Sequence, residues 1–300
     1  MSPSHPAPER AVPEVPGAAG AVRSARPRRL AAFVGLAYLL SWGWLLPIAV
    51  SGGVVEAGVG WPTHLPALIG PMTAALLVAG STGGRGAVRD LLRRMVSPRV
   101  PLRWWAVALS PVMLLAADAA AAATGWTTVD LAGLGYFPGI PAGWGAVAVV
   151  ATVAVVNGFG EETGWRGYAQ PLLQLRHGPL VATAWVAMIW AGWHLPMFLV
   201  LSSFRSFGPV TLVGWCIGLL SGAVVLAWLY NRSGGSIMLV ALWHAGYNLI
   251  SATAVGAGSL GAASTVVVIL GATALVITEL VRTRLGHPSV LLPDTPHLPA

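Results

Sequence analysis

The chain has 300 residues, of which 56% are hydrophobic and only 9% are charged, and its formal net charge is +7. Soluble domains have about a quarter of their residues charged, so this composition excludes an ordinary soluble protein and indicates an integral membrane protein. All 17 basic residues are arginines, and most of them lie in the segments that flank or connect the apolar runs. This distribution argues against a nucleic-acid partner and suits anionic lipid headgroups. The single cysteine, Cys216, excludes an intramolecular disulfide.

Two polar tails flank the apolar part of the chain. Residues 1–29 are rich in Pro, Ala and Arg and have no apolar period, so we expect a disordered cytoplasmic tail. Residues 285–300 contain four prolines and lead to the same expectation of a disordered tail. Residues 30–284 between them form one predicted transmembrane domain.

Apolar runs long enough to cross a bilayer define the predicted helices. A crossing helix needs about 20 mostly apolar residues. Eight runs approach or exceed this length, and they are 30–50, 63–80, 101–122, 145–170, 179–202, 208–230, 235–254 and 261–281. The sequence therefore predicts an all-α, polytopic membrane protein with a bundle of about eight transmembrane helices. Arginine-rich connections alternate with arginine-poor ones along the chain, so the positive-inside rule predicts that both termini are cytoplasmic.

The fourth run ends in GFGEETGWRGYA, which places two adjacent glutamates in a chain with few acids. An ionisable group at membrane depth costs from about 2.5 kcal/mol upward, so it usually faces a functional interior. Residues four apart share a helix face, so Glu162 can pair with Arg166, whereas Glu161 has no partner in its own helix. We expect Glu162 and Arg166 to give structural support and Glu161 to carry the chemistry; a solvated helix end is the alternative. Gly160 and Gly164 form a pair that would let a neighbouring helix approach closely.

Two further runs contain histidines. In the fifth, WAGWHLPMF contains His194, followed by Pro196, which can bend the helix. In the seventh, LWHAGYNLI places His244 and Asn248 on one helix face. At about 1.5 Å per residue, His194 lies about two turns deeper than Glu161 and His244, so convergence needs a tilt, a late start or a bend in the fifth helix. A packing role is the alternative for each histidine.

A carboxylate, two imidazoles and a carboxamide in one cavity can direct the attack of water on a carbonyl group. Glu161 would take a proton from water, and a histidine with Asn248 would donate to the developing oxyanion. Alternatively, Glu161, His194 and His244 could hold zinc, since two His and one Glu with an open position form a common catalytic set. The sequence leaves open whether the cofactor is zinc or none. Neither HExxH nor GxSxG occurs.

The order EExxxR, aromatic-xxx-H and HxxxN on three spans resembles the CPBP (CAAX protease and bacteriocin-processing) family of intramembrane proteases, also known as the Abi or CAAX prenyl protease 2 family. The resemblance covers a motif core at about residues 140–255. The residues that match the three motifs are Glu161, Glu162, Arg166, Trp190, His194, His244 and Asn248. Phenylalanine is usual at the position of Trp190.

The resemblance implies an intramembrane endopeptidase, either glutamate-dependent or a metalloprotease. Glu161 would activate water with His194 as its partner, and His244 with Asn248 would stabilise the oxyanion. The implied partners are the lipid bilayer and a membrane-anchored peptide or protein substrate, and whether that substrate is lipidated or CAAX-like stays open. We expect a multi-pass protein of a bacterial cell membrane. Two alternatives stay open, a proton-coupled transporter and a non-catalytic bacteriocin-immunity protein of the same fold.

Overall fold

The computed structural model describes residues 18–256 and 259–293, and within them the regular elements are all helical. Each of the predicted apolar runs forms a helix, which we number α1 to α8. They are α1 (Ala18–Val50), α2 (Leu65–Met95), α3 (Leu102–Ala108 and Ser110–Ala123), α4 (Ala142–Gln174), α5 (Pro179–Trp193), α6 (Pro209–Arg232), α7 (Ile237–Ser251) and α8 (Ser259–Arg284). The all-α architecture of a polytopic membrane protein is confirmed.

The helices differ in how well they suit a full membrane crossing. Among the described residues, 6 helices are long and apolar enough, namely α1, α2, α4, α5 with the turn that follows it, α6 and α8. The two parts of α3 meet at an angle of 63° and give a seventh crossing only if they form one span. α7 has 15 residues, fewer than the about 20 that a full crossing needs. The number of eight crossings and the cytoplasmic termini therefore stay predictions.

The N-terminal part of the chain is more ordered than expected. α1 begins at Ala18, so residues 18–29, which we assigned to a disordered tail, are helical. Alanine and arginine dominate this stretch and are strong helix formers. A helix that is already nucleated in the following apolar run adds such residues at little cost. Residues 1–17 lie outside the described residues, so the prediction of disorder is not tested there.

The chain after α8 also departs from the expected disordered tail. Residues 285–293 fold back on the end of α8, where the buried Glu279 carboxylate accepts hydrogen bonds from the backbone N–H of Val290 (2.8 Å) and Leu291 (3.2 Å). A buried carboxylate needs such donors, and this short segment supplies them. Residues 294–300 of the predicted tail lie outside the described residues.

The glycine pair in α4 permits the predicted close helix contact. A Cβ atom at Gly160 would lie 2.6 Å from the carbonyl oxygen of Leu68, and one at Gly164 would lie 2.7 Å from that of Pro71. A Cβ atom at Gly158 would meet the backbone of α7 at a similar distance. α4 is therefore packed between the start of α2 and α7, which places its two glutamates in the interior of the bundle.

α1 fixes the end of α5. The Tyr38 hydroxyl donates to the carbonyl oxygen of Ile189 (2.5 Å), and the Trp42 indole N–H donates to that of Trp193 (3.1 Å). The last carbonyls of a helix have no N–H partner within the helix, so the second bond satisfies a group that would otherwise be free. His194 follows as the C-terminal cap of α5, and its backbone is held in position by these bonds.

Candidate active site

α4 is irregular on both sides of the two glutamates. Its backbone is π-helical over Ala154–Phe159 and over Trp165–Ala169, and α-helical over Gly160–Gly164 between them. π-helical turns are rare and occur frequently at functional sites. Here they flank Glu161 and Glu162, whose exposed fractions are 2% and 0%.

Glu162 is the centre of a buried charged group. Its Oε1 atom accepts hydrogen bonds from Nη1 of Arg166 (2.9 Å) and from Nδ1 of His244 (2.7 Å). The expected pairing of Glu162 with Arg166 is thus present, and both side chains are fully buried. Because the carboxylate accepts, Nδ1 of His244 carries a proton, and Nε2 is the nitrogen that is left for other partners. Glu162 therefore fixes the orientation of the His244 ring.

Glu161 is held by a side chain from a different helix. The indole N–H of Trp190 in α5 donates to Oε2 of Glu161 at 2.8 Å. The other carboxylate oxygen makes no hydrogen bond with a described residue. The Trp190 ring also faces the guanidinium group of Arg166, which lies 4.6 Å from the ring centre, a cation–π contact. Trp190 thus contacts both acidic groups of α4, one directly and one through Arg166.

Both histidines contact the same tryptophan. The ring centre of Trp190 lies 5.5 Å from that of His194 and 5.4 Å from that of His244. Nδ1 of His194 lies 2.7 Å from the Trp190 carbonyl oxygen and so donates to it, which leaves Nε2 as an acceptor. α5 ends at Trp193, and the chain makes a turn at His194 before a short helix begins at Met197.

Asn248 is the predicted site residue with the fewest contacts. It lies one turn after His244 on α7, is half-buried, and its side chain makes no hydrogen bond with a described residue. Asn157, four residues before Glu161 on α4, is buried and its Oδ1 atom also has no described partner. Buried polar atoms of this kind are normally satisfied by water or by a bound ligand.

The metal set considered from the sequence is not assembled. Within residues 18–256 and 259–293, no group of three or more His, Cys, Asp or Glu side chains has a geometry that could hold a metal ion. The Trp190 indole contacts all three proposed ligands, Glu161, His194 and His244. The alternative of a shared zinc ion does not fit the described arrangement, and we derive no step through a metal.

Comparison with known proteins agrees with the three motifs. Residues 143–250 match the family model described as type II CAAX prenyl endopeptidase Rce1-like. A stretch of 93 residues, 30% of this chain, is 30% identical to CAAX prenyl protease 2 of Methanococcus maripaludis. Over residues 143–250 the chain is therefore similar to the CAAX protease family. The chain spans only about a third of the length of that curated relative, since the matched stretch is 34% of it.

An aromatic cluster that the sequence motifs did not predict surrounds His194. The His194 ring centre lies 5.0 Å from that of Trp193, 6.4 Å from Phe204 and 5.3 Å from Trp215. Phe198 extends the cluster by packing against Phe204 and Trp215. The run of phenylalanines between α5 and α6 is a sequence signal that could have indicated it. The cluster gives one flank of the site a partly exposed apolar surface.

Proposed function

We propose that this chain is an intramembrane endopeptidase that hydrolyses a peptide bond of a membrane-anchored substrate with water activated by Glu161. The observation that carries the proposal is the buried cluster in which Glu161, His194 and His244 all contact Trp190. The similarity of residues 143–250 to CAAX prenyl endopeptidases supports the same reaction class.

Glu161 is suited to act as the base. Trp190 holds one of its oxygens, and the other is free of hydrogen bonds to described residues, so it can take a proton from water. Nε2 of His194 is an acceptor because Nδ1 donates to a carbonyl. It accepts the second hydrogen of the same water, which directs the water lone pair at the substrate.

Negative charge develops on the substrate carbonyl oxygen when the water oxygen bonds to the carbonyl carbon. The Glu162 carboxylate beside Nδ1 stabilises a protonated His244 ring, whose Nε2–H then donates to the oxyanion. The Asn248 amide, one turn further on α7, is the second proposed donor. The C–N bond breaks as the proton held by Glu161 passes to the leaving nitrogen. The products are a carboxylic acid and an amine.

The proposed substrate is a lipidated or CAAX-like peptide at the membrane surface. The aromatic cluster around His194 offers apolar surface for a lipid chain or for apolar side chains next to the reacting groups. The name of the curated relative, CAAX prenyl protease 2, supports this substrate class. A soluble peptide without a lipid, cleaved equally well, would argue against it.

Cleavage in proteoliposomes tests the proposal. The full chain is incubated with a panel of membrane-anchored peptides, with and without a prenylated cysteine near the C-terminus. Glu161→Gln is expected to lower the rate by a factor of about 10²–10⁴, the contribution of a general base. Glu56→Gln, the same change at an exposed glutamate after α1, is the matched control and retains the rate.

Three outcomes would contradict the proposal. Cleavage by Glu161→Gln at the unaltered rate removes the proposed base. No cleavage of any peptide by folded protein favours the non-catalytic immunity protein. Proton-driven uptake without proteolysis favours the transporter.

A further inference from the structure

α2 is interrupted at Gly84. Gly84 has φ of 67° and ψ of −161°, a conformation that favours glycine, and the helix bends there before it continues to Met95. From Leu65 to Gly84 the helix rises by about 30 Å, which is about the thickness of the hydrocarbon core. The bend therefore lies at the level of the lipid headgroups.

A cavity of about 380 Å³ lies in this bend. Its lining residues are Gly80, Gly84, Arg85, Val88, Arg89 and Leu92. The glycines keep it open, since a Cβ atom at Gly84 would have no neighbour within 4 Å and one at Gly80 would meet only Val88, at 3.4 Å. Val88 and Leu92 form an apolar wall beside two basic side chains, so the cavity is amphipathic.

Among the described residues, the two arginines of the cavity have no counter-ion. Arg85 and Arg89 lie one turn apart, are exposed, and form neither an ion pair nor a hydrogen bond with a described residue. Asp90 is the only acid in residues 81–103, and its carboxylate is already bound by Arg93 and Arg94, each at 2.9 Å. The positive charge at the cavity therefore remains available to an anion.

A second helix brings more positive charge to the same level. Arg29 in α1 donates from Nη2 to the carbonyl oxygen of Thr82, two residues before the bend, at 3.3 Å. Arg28 is its exposed neighbour. Arginines of two helices thus lie in one layer, where an anionic membrane surface attracts basic residues.

We propose that this cavity binds the headgroup of an anionic phospholipid. The phosphate lies between Arg85 and Arg89, and the first carbons of an acyl chain lie on Val88 and Leu92. Guanidinium groups match phosphate oxygens in charge and in hydrogen-bond geometry. A free phosphate ion would use the arginines alone, whereas a phospholipid also covers the apolar wall.

Native mass spectrometry of the delipidated full chain tests the site with phosphatidylglycerol and phosphatidylcholine as probes. The unaltered chain is expected to retain phosphatidylglycerol preferentially. The double variant Arg85→Gln/Arg89→Gln is expected to lower that retention about 25-fold, because each basic residue near an anionic surface contributes a factor of about five. The matched control Arg99→Gln/Arg103→Gln removes the same charge at two exposed positions after the bend and retains the lipid.

A second variant tests the cavity itself. Gly80→Leu fills the space beside Val88 without changing charge, so it is expected to weaken phosphatidylglycerol binding. Unchanged binding in either the cavity variant or the arginine variant overturns the proposal. An equal loss of binding in the control variant also overturns it, because such a loss indicates diffuse surface charge only. Displacement of the lipid by an equal concentration of inorganic phosphate overturns the lipid assignment and favours a free phosphate. Thermal unfolding of each variant shows whether a loss of binding comes from a loss of fold.

Discussion

The indole N–H of Trp190 donates a hydrogen bond of 2.8 Å to Oε2 of Glu161 and joins α5 to α4 inside the bundle. Phenylalanine, the usual residue at this position of the motif that the chain resembles, has no such donor. In this chain the tryptophan therefore fixes the orientation of the proposed base. It also packs against both histidines, so it positions the groups that we propose to act together.

Trp190→Phe tests this positioning role. The phenyl ring keeps the stacking on Arg166 but loses the donor, and a hydrogen bond to a charged group is worth about 1.5–3 kcal/mol. We expect kcat for peptide cleavage to fall by about 10- to 100-fold with little change in KM. Trp185→Phe, at a 45% exposed position on the same helix, is the control. An unchanged kcat in Trp190→Phe would show that the bond does not position the base.

The buried pair of Glu162 and Arg166 predicts a non-additive double variant. Arg166→Gln leaves a carboxylate without its main counter-charge, and breaking a buried pair costs about 3–5 kcal/mol. Glu162→Gln/Arg166→Gln leaves no lone charge, so its loss in unfolding free energy should be smaller than the sum of the single losses. Arg93→Gln, whose side chain is 75% exposed in its pair with Asp90, should cost at most about 1 kcal/mol. Additive losses, measured by denaturation in detergent, would contradict the coupling.

The glycines of α4 predict position-dependent effects of a single methyl group. Gly164→Ala places Cβ 2.7 Å from a backbone oxygen of α2, so we expect a loss of about 1–3 kcal/mol in unfolding free energy. Gly214→Ala in α6 meets nothing within 4 Å and should be neutral or stabilising by up to about 1 kcal/mol, since alanine favours helix. Equal effects at the two positions would show that the contact between α4 and α2 is not tight.

Among the described residues no metal-binding set of three His, Cys, Asp or Glu side chains is assembled, which predicts that cleavage does not depend on a bound metal. Treatment with a strong chelator, followed by removal of the chelator, should leave the cleavage rate unchanged. Elemental analysis of the protein before and after treatment serves as the control. Loss of cleavage that zinc restores would contradict the arrangement described here and would assign the reaction to a metal centre.

Local sequence patterns predicted the parts of the site that depend on one helix. The length of the apolar runs predicted α1 to α8, and the spacing of four residues predicted the pairing of Glu162 with Arg166. The spacing of Gly160 and Gly164 predicted the close contact with a neighbouring helix. Each of these follows from helix geometry alone, so no knowledge of the tertiary contacts was needed.

Features that depend on contacts between helices were not predictable in this way. The bond from Trp190 to Glu161 joins residues 29 positions apart, and the bond from His244 to Glu162 joins residues 82 apart. The π-helical turns of α4 alter the 3.6-residue period on which the face assignments relied. Order after α8 depends on Glu279, whose donors come from a segment that looks disordered in composition alone.

Single-turnover cleavage of a membrane-anchored peptide by Glu161→Gln, His194→Gln and the double variant tests most directly whether these side chains act as one catalytic unit. Residues that act as a unit show strongly non-additive losses. We predict that each single variant loses at least about 100-fold in rate and that the double variant loses little more. Near-normal cleavage by either single variant, or losses that multiply in the double variant, would contradict the account.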